Sequence, residues 1–398
     1  MQIKRKSDLS GHISFFGFWL FFPGFFIYQV LVNLSIVSGV VGGYYGIASI
    51  VTFPFLIFLF CTRVIQNYKI LGILDLSFLF LMFYAIAVSL FNFTSGSLEG
   101  NSELLVWSIS GVGLNLGCYF IGKFYNFGGE KYKVILFITF IIIALLFFAN
   151  VRYGIHTLLN ADIDGTASYQ GYARSLVAIS FMLVALHRLT SLRVIIACLS
   201  LIMMVVIGSR SELILYIFAL VSAYALIKTT NKSQILFFVV VALMGVIIIS
   251  LNIDSIFMLL EDTRLDEFVT YGLLNSSSGS ARLEHIKVGW DYIADNPIIG
   301  NYGIYIKHFG SIGTYPHNIL SAWLNLGLIG MVGYSSITAA ILFGAIKRAR
   351  KNTNSYTLLN LFLAIFVIAS LVTSKDYLFM FVGLSVGVYL NVYKGRSS

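Results

Sequence analysis

The sequence predicts an all-α polytopic membrane protein, on three observations. Of its 398 residues, 58% are hydrophobic and only 11% charged, whereas a soluble chain carries about a quarter charged residues. That leaves too little charge to cover a water-facing surface. Apolar runs long enough to cross about 30 Å of hydrocarbon recur along the whole chain. The basic residues also alternate in density from one connection to the next. Because no water reaches the bilayer core, each span must satisfy its own backbone groups. The runs are long and lack period-two alternation, which points to helices rather than a barrel. The same figures exclude a disordered or fibrous chain, and 3 Cys exclude a disulfide scaffold.

About twelve spans follow in order. The first, 13–33, comes after Lys4, Arg5 and Lys6 and resembles a signal sequence. No small-residue cleavage site follows, and Pro23 lies inside, so it reads as a retained helix. The second, 44–62, opens on the glycines of 39-GVVGGYYG-46. These suit close helix packing, since neither a strand nor a Lys-Ser/Thr pair accompanies them to make a phosphate loop. Spans 71–91, 103–121 and 133–150 lead to an outer loop at 151–172. Spans 173–188, 193–208, 212–228 and 233–251 have short connections, and a larger outer loop follows at 252–316. Spans 318–344, 356–373 and 377–393 complete a single integral membrane domain covering 1–398. Several runs are short, so eleven or thirteen spans also fit.

With both termini placed in the cytoplasm, 18 of the 26 basic residues fall on inner segments, and 14 of the 17 acids on outer ones. This is the positive-inside distribution. It also accounts for the formal net charge of +9, which would otherwise suggest a nucleic-acid partner. Cys61, Cys118 and Cys198 all fall near inner helix ends and read as packing residues. Acids are nearly absent from the span middles, which argues against an ion-coupled transporter.

The eight outward basic residues run against that rule and draw attention for that reason. Arg210 lies in 208-GSRSE-212, a tight turn between spans, Arg174 begins a span, and Arg282 begins the stretch 281-ARLEHIKVGWDYIADNPIIG-300. A guanidinium fork at the membrane surface suits phosphate oxygens; the alternative for Arg210 is a salt bridge to Glu212. In the stretch after Arg282, Leu283, Ile286, Trp290 and Ile293 recur at helical spacing until Asn296-Pro297 stops the helix. Two readings stand, an amphipathic helix in the outer interface and a helix of a small outer cap. His317, just before an apolar helix in 314-TYPHNILSAWLNLGLIG-330, is a candidate general base, or else a helix-end residue bonded to a loop carbonyl. His285 and His308 are weaker candidates. Asp162 and Asp164 have the short acidic spacing of a metal-using outer loop, a pattern frequent by chance. No zinc, hydrolase or nucleotide-binding motif appears.

In their order along the chain, 208-GSRSE-212, 281-ARLEHIKVGWDYIADNPIIGNYG-303 and 315-YPHNILSAWLNLGLIG-330 resemble the O-antigen polymerase and O-antigen ligase superfamily, over roughly residues 200–335. The resemblance implies a GT-C-like architecture in the bacterial inner membrane, with its active face periplasmic. It implies a donor glycan on undecaprenyl diphosphate, no metal and no other cofactor. It assigns diphosphate binding to Arg210 and Arg282 and the base to His317. Arg174, Arg264 and Arg152 become further candidate substrate-binding residues. Tyr169, Tyr172, Tyr302 and Tyr305 are candidates for stacking on sugar rings. Many ligases carry a glutamate after the His-Asn pair, where this chain has Ser321 and Asn325, so the expectation leans to a polymerase. A ligase acting on lipid A–core and a lipid-linked oligosaccharide flippase are the alternatives. Expected partners are the lipid-linked oligosaccharide, membrane lipids and a chain-length-regulating co-polymerase, with no nucleic acid.

Overall fold

The computed structural model of the chain describes residues 2–39, 43–67, 70–95, 102–126, 129–151, 169–187, 189–227 and 277–392. Among these residues every regular element is a helix. Helix α1 (Gln2–Trp19) continues through a five-residue π segment, Leu20–Gly24, into α2 (Phe25–Asn33). Pro23 lies in that segment, and its missing N–H accounts for the break in the ladder. Then come α3 (Gly43–Gln66), α4 (Ile73–Thr94), α5 (Ser102–Phe124) and α6 (Glu130–Val151). Helices α7 (Tyr169–Leu186), α8 (Thr190–Ile207) and α9 (Arg210–Leu226) form a second group. Beyond residue 276 lie α10 (Ser277–Asp295), α11 (Ile304–Phe309), α12 (Leu320–Lys351), α13 (Ser355–Thr373) and α14 (Phe381–Tyr389).

Eight described helices are long and apolar enough to cross a membrane, counting Leu9–Asn33 as one. Apolar parts of α7 and α9, Gln170–Leu186 and Ser211–Leu226, are shorter. The chain is thus a multi-pass membrane protein. The expected span 233–251 lies outside the described residues, as do residues 152–168 of the first long loop and 252–276 of the second. The expected span 377–393 differs: only Phe381–Tyr389 is helical. Its irregular approach is buried against α5, where Asn115 Nδ2 donates to the Leu378 carbonyl at 2.7 Å and Asn115 Oδ1 accepts the Gly383 N–H at 3.0 Å. Non-helical backbone at membrane depth is tolerated where protein groups satisfy it in this way.

Helix α13 is central, packed on α7, α9, α12 and α14, while α5 packs on α1, α3, α4 and α14. The two ionisable groups buried between α4 and α5 satisfy each other: Lys123 pairs with Asp75, and Tyr119 donates to the same carboxylate at 2.5 Å. Lys123 also donates to the Ile70 carbonyl at 3.1 Å.

Candidate active site

The stretch after Arg282 is helical, as expected, but its apolar stripe is only partly covered. Ile293 is buried, whereas Leu283 and Trp290 are about half exposed. What anchors this segment is a backbone interlock with α12. Gly327 interrupts that helix at φ 66°, ψ −162°, a conformation essentially confined to glycine. The break frees backbone groups, and the segment after Asn296-Pro297 takes them up. Asn301 N donates to the Leu324 carbonyl at 2.6 Å, and Leu328 N donates to the Ile298 carbonyl at 3.0 Å. Tyr84 of α4 donates to the Leu326 carbonyl at 3.1 Å, and Trp323 Nε1 to the Pro297 carbonyl at 2.8 Å. Gly300, at φ 81°, lies so close to Gly327 that a Cβ on either would strike the other segment's backbone.

This interlock and one close contact place His317. Gly289 of α10 sits against the Pro316 ring, in space that a Cβ would need. Asn318 starts α12, its Oδ1 accepting the Leu320 N–H at 3.0 Å. The Ile319 N–H then reaches the Leu371 carbonyl near the end of α13 at 2.6 Å. His317 is held between these anchors, 4.6 Å from the Tyr315 ring and 6.0 Å from the His285 ring, centroid to centroid. Burial lowers its pKa, and the charges of Arg282, His285 and Lys375 lower it further, to about 4. The imidazole is therefore neutral at pH 7 and able to accept a proton. The Tyr315 hydroxyl hydrogen-bonds Asp376, whose own carboxyl is pushed up to about 6 by burial while Arg174 and Lys375 pull it down.

The Ser-Arg turn is built around Glu212. Gly208, in the left-handed region at φ 75°, ends α8, and Arg210 begins α9. Glu212 is fully buried and accepts from Ser209 Oγ at 2.6 Å and Ser211 Oγ at 2.7 Å. Its other oxygen faces Lys375 Nζ at 2.5 Å and Arg174 Nε at 3.9 Å. Arg174 also donates to Gln170 Oε1 at 2.8 Å, and Lys375 reaches the same oxygen at 3.3 Å. Burial pushes the Lys375 ammonium below the ordinary lysine range, and Glu212 pulls it back up.

Residues 195–335 match the family model described as O-antigen ligase, Wzy_C. Over this stretch the chain is similar to that family, in keeping with the resemblance to the O-antigen polymerase and ligase superfamily. No curated protein matches the chain as a relative. The matched region of the O-antigen ligase family contains the Ser-Arg turn, Arg282 and His317, but neither Arg174 nor Lys375.

The structure brings Arg282, His317 and Arg174 into one charged cluster, along with the turn in which Arg210 stands. The Arg210 side chain, Arg152 and Arg264 lie outside the described residues, as do Asp162 and Asp164. Tyr172, Tyr302 and Tyr305 are buried; Tyr172 accepts from Asn33 at 2.6 Å and Tyr302 is hydrogen-bonded to Ser108. They are structural residues, not an open platform for sugar. Ser321 and Asn325 tie the site together. Ser321 Oγ accepts the Tyr377 N–H at 3.2 Å, and Asn325 Oδ1 the Gly303 N–H at 3.0 Å. Sequence reasoning missed Lys375 and Asp376. Their signal was an outward lysine beside an acid in the short connection 374-SKDYLF-379.

Proposed function

We propose that the protein is a polymerase joining oligosaccharide repeat units carried on undecaprenyl diphosphate, at the periplasmic face of the bacterial inner membrane. One observation carries the reading: His317 and Arg282, partly buried and near each other in a stretch that matches the O-antigen ligase family, stand beside the Arg174–Lys375 pair, which lies outside that stretch. In the reaction, the acceptor hydroxyl attacks the anomeric carbon of the donor glycan as His317 takes its proton. The new glycosidic C–O bond forms as the bond from the anomeric carbon to the diphosphate oxygen breaks, with inversion. The departing electron pair stays on the diphosphate, whose growing charge Arg282 and Arg210 would stabilise in this reading, with Arg174 as a further cation. A base with a pKa near 4 is a weak one. The incoming diphosphate cancels the cations that depress it, so substrate binding strengthens the base it needs. Arg264 and Arg152 keep a substrate-binding role only within this proposal. A chain-length-regulating co-polymerase belongs to it as well.

The ligase reading has one observation in its favour, the description of the matching family. Product pattern separates the two. In liposomes supplied with lipid-linked repeat units, the purified protein should build a ladder of lengthening chains without added metal or nucleotide sugar. A single product that requires lipid A–core marks a ligase, and translocation with no new glycosidic bond marks a flippase. His317→Ala should lower turnover roughly 100- to 10,000-fold, and full activity in a folded His317→Ala protein would remove that residue from the mechanism.

A further inference from the structure

Lys375 lies outside the family-matched stretch, yet it is among the most constrained cations in the molecule. It is 4% exposed in the connection between α13 and α14. Its contacts are Glu212 Oε1 at 2.5 Å, Gln170 Oε1 at 3.3 Å and the Phe379 ring at 5.9 Å. Arg174 donates to the same Gln170 oxygen at 2.8 Å, stands 3.9 Å from the same Glu212 oxygen as an ion pair without a hydrogen bond, and faces Phe379 at 5.7 Å. Two cations thus stand side by side, both bonded to one amide oxygen and both near one carboxylate oxygen. Arg174, Arg282 and Lys375 stand here with Glu212 and Asp376, while Glu284 acts on His285 alongside Arg282.

Directly next to this cluster opens a cavity of about 770 Å³ between α9, α12 and α13. Its lining begins at Ile214, two residues past Glu212, and at Thr373, two residues before Lys375. It runs down to Leu226 and Ile346, and nearly all its wall is aliphatic or aromatic. The twelve-residue advance along α9 corresponds to roughly 18 Å at 1.5 Å per residue. A cationic cluster thus lies within two residues, along α9 and along the α13–α14 connection, of one end of an apolar groove long enough for several isoprene units.

We infer that Glu212 occupies the place of the donor's diphosphate in the empty protein, and that Lys375 and Arg174 pass from Glu212 to the diphosphate when the donor binds, its polyprenyl chain lying in the groove between α9, α12 and α13. This rests on the lipid-linked donor proposed above. A diphosphate carries more charge and more acceptor oxygens than one carboxylate, so it competes for both cations. The apolar channel selects a lipid-borne diphosphate over a free one.

The test is binding of undecaprenyl diphosphate to the purified full-length protein in detergent, with inorganic pyrophosphate as competitor, alongside the transfer assay. Lys375→Met should raise Kd roughly tenfold or more, the loss of about one charge-assisted contact. Glu212→Gln should lower Kd severalfold, because it frees both cations. The double swap Glu212→Lys with Lys375→Glu keeps the ion pair but moves its positive end. It should bind as poorly as Lys375→Met, and wild-type affinity in the swap would make the pair merely structural and overturn the inference. Ala369→Trp, which fills the groove, should weaken undecaprenyl diphosphate binding but leave pyrophosphate binding unchanged. Unchanged lipid binding in that variant, or pyrophosphate competing mole for mole, overturns the groove assignment. Wild-type protein that binds the lipid in a Lys375-dependent way yet transfers no glycan supports the inference and overturns only the polymerase reading.

Discussion

His317 is basic enough to matter only because its surroundings change. Burial and the positive charges of Arg282, His285 and Lys375 hold its pKa near 4. The acid limb of kcat/KM, which reports free enzyme, should therefore lie near pH 4 rather than near the 6.5 of an ordinary histidine. Removing one neighbouring cation favours the protonated form, so Arg282→Gln should move that limb upward. The acid limb of kcat reports the donor-bound enzyme and should lie above that of kcat/KM, because the diphosphate offsets the same cations. Two pH–rate profiles with coincident limbs in the wild type would mean that His317 does not face the donor's charge. The sequence brought His317 into view through its His-Asn pairing with an apolar helix. Its depressed pKa was not legible, since one contributor, Lys375, joins the site from the far end of the chain.

At the scale of elements, the site depends on a helix that is broken on purpose. The sequence 323-WLNLGLIG-330 reads as uninterrupted apolar helix, and nothing local reveals the break. Its justification lies in the segment at 297–301, whose backbone takes the groups freed at Leu324 and Leu328. The short irregular approach to α14 was hidden for the same reason, since it is Asn115 of α5 that satisfies it. By contrast, the long apolar helices and the Asn296-Pro297 stop were readable, because hydropathy and proline geometry are local. Gly327→Ala would force a β-carbon into the Ile298 backbone at positive φ. It should cost about 1–3 kcal/mol, seen as a lower Tm in detergent, and activity should fall with it as α10 loses its seat. Gly46→Ala in α3, where open space surrounds the position, should leave Tm unchanged or slightly higher. Equal Tm changes in the two variants would mean that the interlock carries no weight.

Across the whole molecule, the helices sort the charges to two ends. Arg174, Glu212, Arg282, His317 and Lys375 share one end, as the contacts between α7, α9, α10 and the α13–α14 connection require. Helix α5 begins at that end, since Ser108 touches Tyr302, and its other terminus carries Lys123. Helix α12 likewise leaves His317 behind and finishes on Lys347, Arg348, Arg350 and Lys351, where Arg350 Nε donates to the carbonyl of Leu226, the last residue of α9, at 3.3 Å. Applied to these ends, the positive-inside rule predicts the end with Lys347–Lys351 in the cytoplasm and the site on the opposite face. The proposed polymerase requires that face, where a lipid-linked glycan, already flipped, would wait. In a protein with Cys61, Cys118 and Cys198 replaced, Ser311→Cys on the exposed loop before His317 should react with a membrane-impermeant maleimide in intact spheroplasts. Lys351→Cys should react only after the membrane is opened. The reverse pattern would put Arg282, His317 and Lys375 on the cytoplasmic face. The donor would then have to be used before translocation, which a polymerase of flipped repeat units cannot do.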